Sequence, residues 1–312
     1  MAIAARTGYL FSLFLLAMNV CPTPSSAQDE PAALYRSPQP IVLSPDGQSF
    51  CVGDVTARCV AVFGTETNAK RHEIALHGEP RGLAISSDSR RLFATERGAG
   101  TVAIIDLSDG SILERVQTGR WPVALALAEK THRLFVCNQD RHTVSVIDLQ
   151  RDSGEPVAEF AVQREPHSIA LTPDEKHAIV SNLLPHGVAT DPNLAAAVNI
   201  IDTRHLKTIS LVRLPAGSTL VRGVCTSPDG KWAYVVHNLG RFNVPITQLD
   251  HGWVNTSALS IIDIVNGSRL ATLLLDDLHR GAPNPYSIVG SDDGQQLWIS
   301  HAAAHEISVV QI

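Results

Sequence analysis

A unit of about 42 residues returns along this chain, and that period limits the fold more than any other feature. Each copy begins near a proline, alternates apolar and polar residues, and turns through a Ser/Thr-Pro-Asp-Gly-like tetrapeptide. A second alternating run then ends on a polar residue, and a third closes on aspartate. The clearest copies are PRGLAISSDSRRLFATERGAGTVAIID from Pro80 and PVALALAEKTHRLFVCNQDRHTVSVID from Pro122. The closing position falls on Gly64, Asp106, Asp148, Asp202, Asp263 and Gln311, at intervals of 42, 42, 54, 61 and 48 residues. Alternation over four to six residues, punctuated by Asp-Gly and Ser-Pro turns, specifies half-buried strands rather than helices. A fourth strand follows in each unit, as at Ile112 to Val116 and Val157 to Val162.

Four-stranded units of this length cannot bury both faces alone, so they stack as the blades of a β-propeller. The expected fold is all-β, with five complete antiparallel blades and three strands of a sixth over residues 28–312. Closing the ring calls for a fourth strand in the last blade and commonly a seventh blade, unless Pro31 to Ser37 supply a clasp. The sequence therefore reads as the greater part of a seven-bladed propeller, truncated on its C-terminal side.

Residues 1–27 have the parts of a cleaved secretory signal: Arg6, an apolar run from Tyr9 to Val20, and Ser25-Ser26-Ala27 before the expected cleavage. Cys21 raises a lipoprotein alternative, but Met18-Asn19-Val20 lacks the small residues that processing requires. The expectation is a periplasmic, secreted or cell-surface protein with no membrane span after cleavage, the apolar run being too short to cross a bilayer. Lys and Arg number 25 against 31 Asp and Glu, without a basic block, which argues against a nucleic-acid partner.

The strand-and-polar-stop motif recurs as Leu134-Phe135-Val136-Cys137-Asn138, Ile179-Val180-Ser181-Asn182 and Tyr234-Val235-Val236-His237. With the following Val-Ser-Val-Ile-Asp type of strand, it resembles the YVTN-family β-propeller repeat over essentially all of residues 28–312. The tract from Phe242 to Trp253, and Ser300-His301 to His305-Glu306, are similar to an exported bacterial subgroup. In that subgroup the propeller is often continued by a c-type cytochrome domain like those of di-haem peroxidases. The resemblance implies a cytochrome domain as partner, in the same full-length chain. No C-x-x-C-H is present, so no cofactor is expected in these residues, and haem belongs only to a downstream domain.

In a blade the strands a to d run outward from the channel, so the start of a, the end of b and the b–c loop share one face. Aligning the repeats puts Ile41, Arg81, Val123, His167, Arg222 and Tyr286 at the start of a. Asp54, Glu96, Asn138, Asn182, His237 and His301 fall at the end of b, which predicts a polar inner ring. The step from b to c is five positions in four blades, fifteen in blade four (Asn182 to Ala197) and twenty-one in blade five (His237 to Ala258). Long loops on a rigid scaffold are where binding usually resides. The expected binding face is therefore this one, over blades four to six, with Arg81, Glu96, Asn138, His167, Asn182, Arg222, His237, His251, Trp253, Tyr286, His301 and His305 as its candidates. Replacing His237 and His301 together is expected to harm binding and leave the thermal midpoint nearly unchanged.

His167, His237, His301 and His305 are the weak candidates for a divalent metal, since imidazoles meeting at one mouth suit a borderline ion. The plainer alternative is ordinary polar lining. No catalytic residue is assigned. His72-Glu73 with His77 has the wrong spacing for a zinc-protease helix and falls on an outer strand. Gly98-Ala99-Gly100 precedes a strand where a dinucleotide site needs a helix. The closing aspartates recur in every regular blade, as turn caps do. Cys51 and Cys59 flank the first b–c turn, where an exported chain could join them as a disulfide, the alternative being two buried thiols. The leading function is an exported binding or scaffold module that engages a protein partner or a small ligand. The alternative is the propeller part of a periplasmic electron-transfer oxidoreductase, and the third reading is a metal-dependent lactonase-like hydrolase.

Overall fold

The structure, a computed structural model, describes residues 36–151, 154–240, 255–276, 281–302 and 304–312. The proposed signal sequence and all of the clasp segment except Arg36 and Ser37's neighbourhood lie outside these. Blade one comprises β1 (Pro38–Leu43), β2 (Ser49–Asp54), β3 (Cys59–Gly64) and β4 (Lys70–Ala75). Blade two is β5 (Leu83–Ile85), β6 (Arg91–Glu96), β7 (Thr101–Asp106) and β8 (Ile112–Gln117). Blade three is β9 (Pro122–Ala128), β10 (Arg133–Asn138), β11 (Thr143–Asp148) and β12 (Ala158–Ala161). Blade four is β13 (Pro166–Leu171), β14 (His177–Asn182), β15 (Ala197–Asp202) and β16 (Lys207–Arg213). Blade five is β17 (Ser218–Thr226), β18 (Trp232–Gly240), β19 (Asn255–Asp263) and β20 (Ser268–Leu274). The last sheet has three strands, β21 (Pro285–Gly290), β22 (Gln296–His301) and β23 (Glu306–Gln311). Every blade is an antiparallel meander, and the inner strands β1, β5, β9, β13, β17 and β21 neighbour one another in chain order.

Alternation along each strand sends successive side chains to opposite faces, and the two faces meet different blades. Five apolar clusters result, one for each pair of neighbours. Ile74 and Val62 of blade one meet Leu92 and Ile105 of blade two, for example. Tyr234, Val236 and Leu259 of blade five meet Ile288, Leu297 and Ile299 of the last sheet. The inner strands converge toward the channel, which leaves no room for side chains at two of their positions. A Cβ on Gly82 would lie 2.9 Å from the Ala124 backbone, and one on Gly223 would lie 3.0 Å from the amide nitrogen of Ile288.

The turn between a and b is built by one device in five blades. The Ser44, Ser86, Thr172, Ser227 and Ser291 hydroxyls each donate to an aspartate two residues on: Asp46, Asp88, Asp174, Asp229 and Asp293. The same aspartates accept a backbone N–H two residues further, from Gln48, Arg90, Lys176, Lys231 and Gln295. These bonds favour the ionised carboxylate and hold each aspartate below the usual range, the hydroxyl being the first cause. Blade three, whose sequence there is Ala128-Glu129-Lys130-Thr131, makes a short 3-10 turn instead, with His132 left-handed at φ 51°. The closing aspartates cap the c–d turns as expected: Asp106 accepts the Ser108 N–H, and Asp263 that of Asn266.

Among the described residues, the outward faces of the first blade and the last sheet are apolar and exposed. On blade one, away from blade two, Ile41 pairs with Val52 and Leu43 with Phe50, and Phe50 stacks on Phe63 at 5.1 Å. On the last sheet, away from blade five, Val289 pairs with Trp298 and Trp298 with Val309, beside Ile307. Ile41, Leu43, Val289, Trp298, Ile307 and Val309 are all exposed. Equivalent rows elsewhere are the interiors between blades.

Of the two alternatives for Cys51 and Cys59, the disulfide is not formed and both residues are buried free thiols. The register explains it: Cys59 lies opposite Asp54, whereas Cys51 lies opposite Val62 and points into the cluster between blades one and two. Burial pushes the Cys51 thiol up to about 12, which makes it inert as a nucleophile.

Candidate functional site: the channel mouth

The residues ending strand b do not line the channel. Asp54, Glu96, Asn138, Asn182, His237 and His301 are all buried, because their side chains turn into their own blades. There five of them bond to strand c, while Asp54 accepts the Ser37 and Ala57 amides. Asn138 donates to Ser145 Oγ at 2.8 Å, and Asn182 donates to Asn199 Oδ1 at 2.8 Å. His237 Nε2 meets Ser260 Oγ at 2.9 Å, and His301 Nε2 meets Ser308 Oγ at 2.9 Å. Ser145, Asn199, Ser260 and Ser308 all lie three residues before the closing position of strand c, the third position of that strand when blade five is counted from the aligned Ala258. Blade two has Ala103 at that position, and Glu96 finds other partners. It accepts the His77 amide at 2.7 Å and the Thr101 hydroxyl, and pairs at 3.2 Å with Arg115, which stands opposite Ala103 on strand d.

The polar ring is thus a set of internal ties, and its members are corrected from channel-lining to structural. His237 shows how complete a tie is. Its Nδ1 lies 3.2 Å from the Asn238 carbonyl, which can only accept, so a neutral ring donates there and accepts at Nε2 from Ser260. Ser260 in turn takes the Thr272 hydroxyl proton at 2.8 Å. Burial holds the His237 imidazole neutral, pushed down to about 4.

The residues starting strand a do meet, across the channel. His167 of blade four and Tyr286 of the last sheet make an edge-to-face contact with centroids 6.2 Å apart, although blade five separates their strands in the series. The Arg222 guanidinium of blade five lies 5.4 Å from the centre of the Tyr286 ring and donates to Asn284 Oδ1 at 3.1 Å. Asn238 also donates to that oxygen, at 3.4 Å. Arg81 of blade two reaches Gln39 with one terminal nitrogen, and its Nε is buried without a partner. His167 Nδ1 is buried without a partner as well. Burial, then Arg222 and then Arg81, push the His167 imidazole down to about 4, so both guanidiniums are felt at this ring.

Two neighbours extend the cluster. Arg97, the first residue of the b–c loop in blade two, lies 4.3 Å from the centre of the Trp121 ring. Burial, then Arg81, lower its basicity, with Glu79 opposing. Trp121, Glu165 and Asn284 each precede the proline that opens a strand a and are held at φ 57°, 58° and 55°. Among the described residues no carboxylate lies within 4.0 Å of Arg81, Arg97 or Arg222. Glu79 and Glu165 stand at the positions equivalent to Trp121 and Asn284, so the guanidiniums share this face with two carboxylates that form no ion pair with them.

Of the sequence candidates, Arg81, His167, Arg222 and Tyr286 therefore come together, and Ile41 and Val123 contribute no polar group. His251 and Trp253 lie outside the described residues, as do Arg241, Gln248, Asp250, Asp277, His279 and Arg280. The loop after Asn182 rises on the same face, with His186 and Val188 exposed, and its return is tied by Gly217 N–H to the Leu194 carbonyl at 2.8 Å. His305 is exposed on the last b–c turn. The four histidines considered for a metal do not converge: one lines the mouth, two are tied to serines inside their blades, and one is on the surface. Among the described residues no three His, Cys, Asp or Glu side chains are placed to share an ion.

Sequence reasoning missed Arg97, Trp121 and Asn284, although each stands one residue from an aligned position, next to Glu96, Pro122 or Pro285. It also missed that a polar residue at the third position of strand c marks where the end of strand b is tied.

With this geometry in place, comparison with known proteins adds the following. A sequence model of the family described as "Lactonase, 7-bladed beta-propeller" matches residues 66–161. Hydrazine synthase subunit beta of Kuenenia stuttgartiensis is 26% identical over 147 residues, which are 47% of this chain and 36% of that protein. The chain therefore spans about a third of the length of this curated relative. The solved structure of Kuenenia stuttgartiensis hydrazine synthase superposes with a TM-score of 0.78 at 23% identity, over 87% of this chain and 75% of that one. The fold is that of a β-propeller. The family match points to the seven-bladed type, and the likeness to hydrazine synthase adds a precedent for the scaffold within a named subunit of an enzyme.

Proposed function

We propose that the chain is an exported propeller subunit that binds a protein partner, the partner being a c-type cytochrome domain of the kind that the YVTN-type repeat brings with it. The observation that carries this reading is the long b–c loop after Asn182, which exposes His186 and Val188 on the same face as the channel mouth, since loops on a rigid scaffold are where binding usually resides. The similarity to a protein named as a synthase subunit supports it. In this reading the propeller positions an electron-transfer partner and performs no redox step with its own side chains.

The test is to isolate the tagged chain from the exported fraction of its native host and measure particle mass and haem absorbance together. A haem-bearing complex is expected, with His186→Ala/Val188→Lys on the exposed b–c loop releasing the haem protein. A haem-free particle of one chain in the wild type would overturn the reading. A second reading, hydrolysis of a lactone, is favoured only by the family match over residues 66–161. Release of hydroxy acid from a γ- or δ-lactone, assayed with and without added divalent cations, decides it.

A further inference from the structure

We infer that the channel mouth is a binding site for a compact oxyanion, a phosphate or a small dicarboxylate, held between Arg81 and Arg222 and packed against Tyr286. The inference goes beyond the partner reading and does not depend on it. Three features of the mouth carry it together. First, three guanidiniums approach one opening from blades two and five without a bridging carboxylate among the described residues, and cationic groups that repel one another are held together only at a cost. The effect of Arg81 on Arg97, and of both Arg81 and Arg222 on His167, is repulsive in every case. A bound anion offsets these repulsions by attracting each cation.

Second, polar atoms at the mouth are idle. Arg81 Nε and His167 Nδ1 are buried without partners among the described residues, and a buried group left unsatisfied is costly. Arg222 has one terminal nitrogen on Asn284. Guanidinium groups favour oxyanions over halides because their parallel N–H donors match two oxygens.

Third, the surroundings are preorganised. Gln39 fixes one arm of Arg81, Asn284 fixes Arg222 and Tyr286 supports its face, so little side-chain freedom remains to be lost on binding. The residues belong to four blades, which makes the site a property of the ring and not of one loop.

The experiment is isothermal titration of the full chain, in a low-salt chloride buffer at neutral pH, with inorganic phosphate and separately with oxalate. Thermal melts at each concentration run alongside. Saturable binding of at least one of the two is expected, with a rise in midpoint that follows occupancy. Arg222→Gln and Arg81→Gln are each expected to weaken it about tenfold or more, as loss of a charge-assisted bond does. Arg222→Lys keeps the charge and loses the fork, so it falls between. Arg213→Gln, an exposed change on the outer strand β16, should leave binding unaltered. If Arg81→Gln fails to fold, the Arg222 pair still decides. No saturable heat with either anion, or binding that is equal in wild type and Arg222→Gln, overturns the inference. Phosphate binding without oxalate assigns the site to tetrahedral anions, and the converse to planar carboxylates. The isolated chain is used, so failure here leaves the docking of a partner untouched, and failure of docking leaves this site untouched.

Discussion

Replacing His237 and His301 together by alanine separates a structural ring from a binding ring. Both imidazoles are buried, at 0% and 4% exposure, and each is hydrogen-bonded to a serine of strand c at 2.9 Å. Each truncation removes a buried hydrogen bond, about 1 kcal/mol net. It also opens a ring-sized void, for which large-to-small core changes indicate about 2 kcal/mol more. That gives about 3 kcal/mol per site. The two sites lie in different blades and share no hydrogen-bond partner among the described residues, so about 6 kcal/mol is expected for the pair. Since whole domains are stable by about 5–15 kcal/mol, this is a large fraction of the total. The assay is urea denaturation followed by far-ultraviolet circular dichroism, with a thermal melt alongside. The midpoint should fall by about 10 °C or more, at about 2–4 °C per kcal/mol for a chain of this size. Ser260→Ala should reproduce part of the loss at the first site. Phosphate or oxalate affinity of the surviving folded fraction should be unchanged. A midpoint within about 2 °C of wild type, with anion binding abolished, would return both histidines to the channel and refute the tie.

Two further outcomes follow from buried charge and neutrality. His167 and His237 titrate near 4 in the folded chain, against about 6.5 unfolded, so below pH 6.5 the unfolded chain binds more protons and stability falls as pH drops. The loss reaches about 3 kcal/mol for His237 by pH 4 and is absent above pH 7; urea midpoints of wild type and His237→Asn across pH 4 to 8 should converge at the acid end, and parallel curves would refute it. Glu96→Ala strips partners from the His77 amide, the Thr101 hydroxyl and Arg115 at one stroke, and should cost about 3 kcal/mol, with Arg115→Ala in the same background adding little because the pair is already broken; additive losses in a double-mutant cycle would contradict the pairing.

The fold was legible because each repeat states it several times over. Alternation set the strands, the Ser-x-Asp turn spaced a from b, and the closing aspartate capped c. Six copies of one message leave little room for another topology, and even blade three's missing Ser-x-Asp turn is covered by its own 3-10 turn. The site was legible only by half. The alignment placed Arg81, His167, Arg222 and Tyr286 at one height on the inner strands, and they meet. It placed Glu96, Asn138 and His237 at one height as well, yet could not say to which face of a strand end they turn. A residue at the last position of β10 can point along the channel or into its own blade. What decides is whether strand c offers a partner, and that depends on a cross-strand pair, not on position along one strand. The cysteines failed for a related reason. Cys51 and Cys59 flank one turn, but register sets Cys59 against Asp54 and turns Cys51 to the core.

The two rings also differ in how they vary, and this carries information that one sequence rarely yields. At the end of b all six residues are polar and hydrogen-bonding, and where the partner changes, as at Ala103, a compensating pair appears in the same blade. That is what a structural requirement repeated six times should look like. At the start of a the six residues are Ile41, Arg81, Val123, His167, Arg222 and Tyr286, with no common chemistry. A position that packing constrained equally in every blade would have converged on one class, as the third position of strand c nearly has. Arg81, His167, Arg222 and Tyr286 are the four that gather at the mouth, and their differing chemistry is the condition for a single asymmetric site. They come from blades two, four, five and six, while Ile41 is exposed on the outward face of blade one and Val123 is buried between blades three and four. An anion would therefore sit off the axis, toward Arg222 and Tyr286, with Arg81 reaching from the opposite wall. The repeat supplies the walls; the departures from it supply the ligand chemistry.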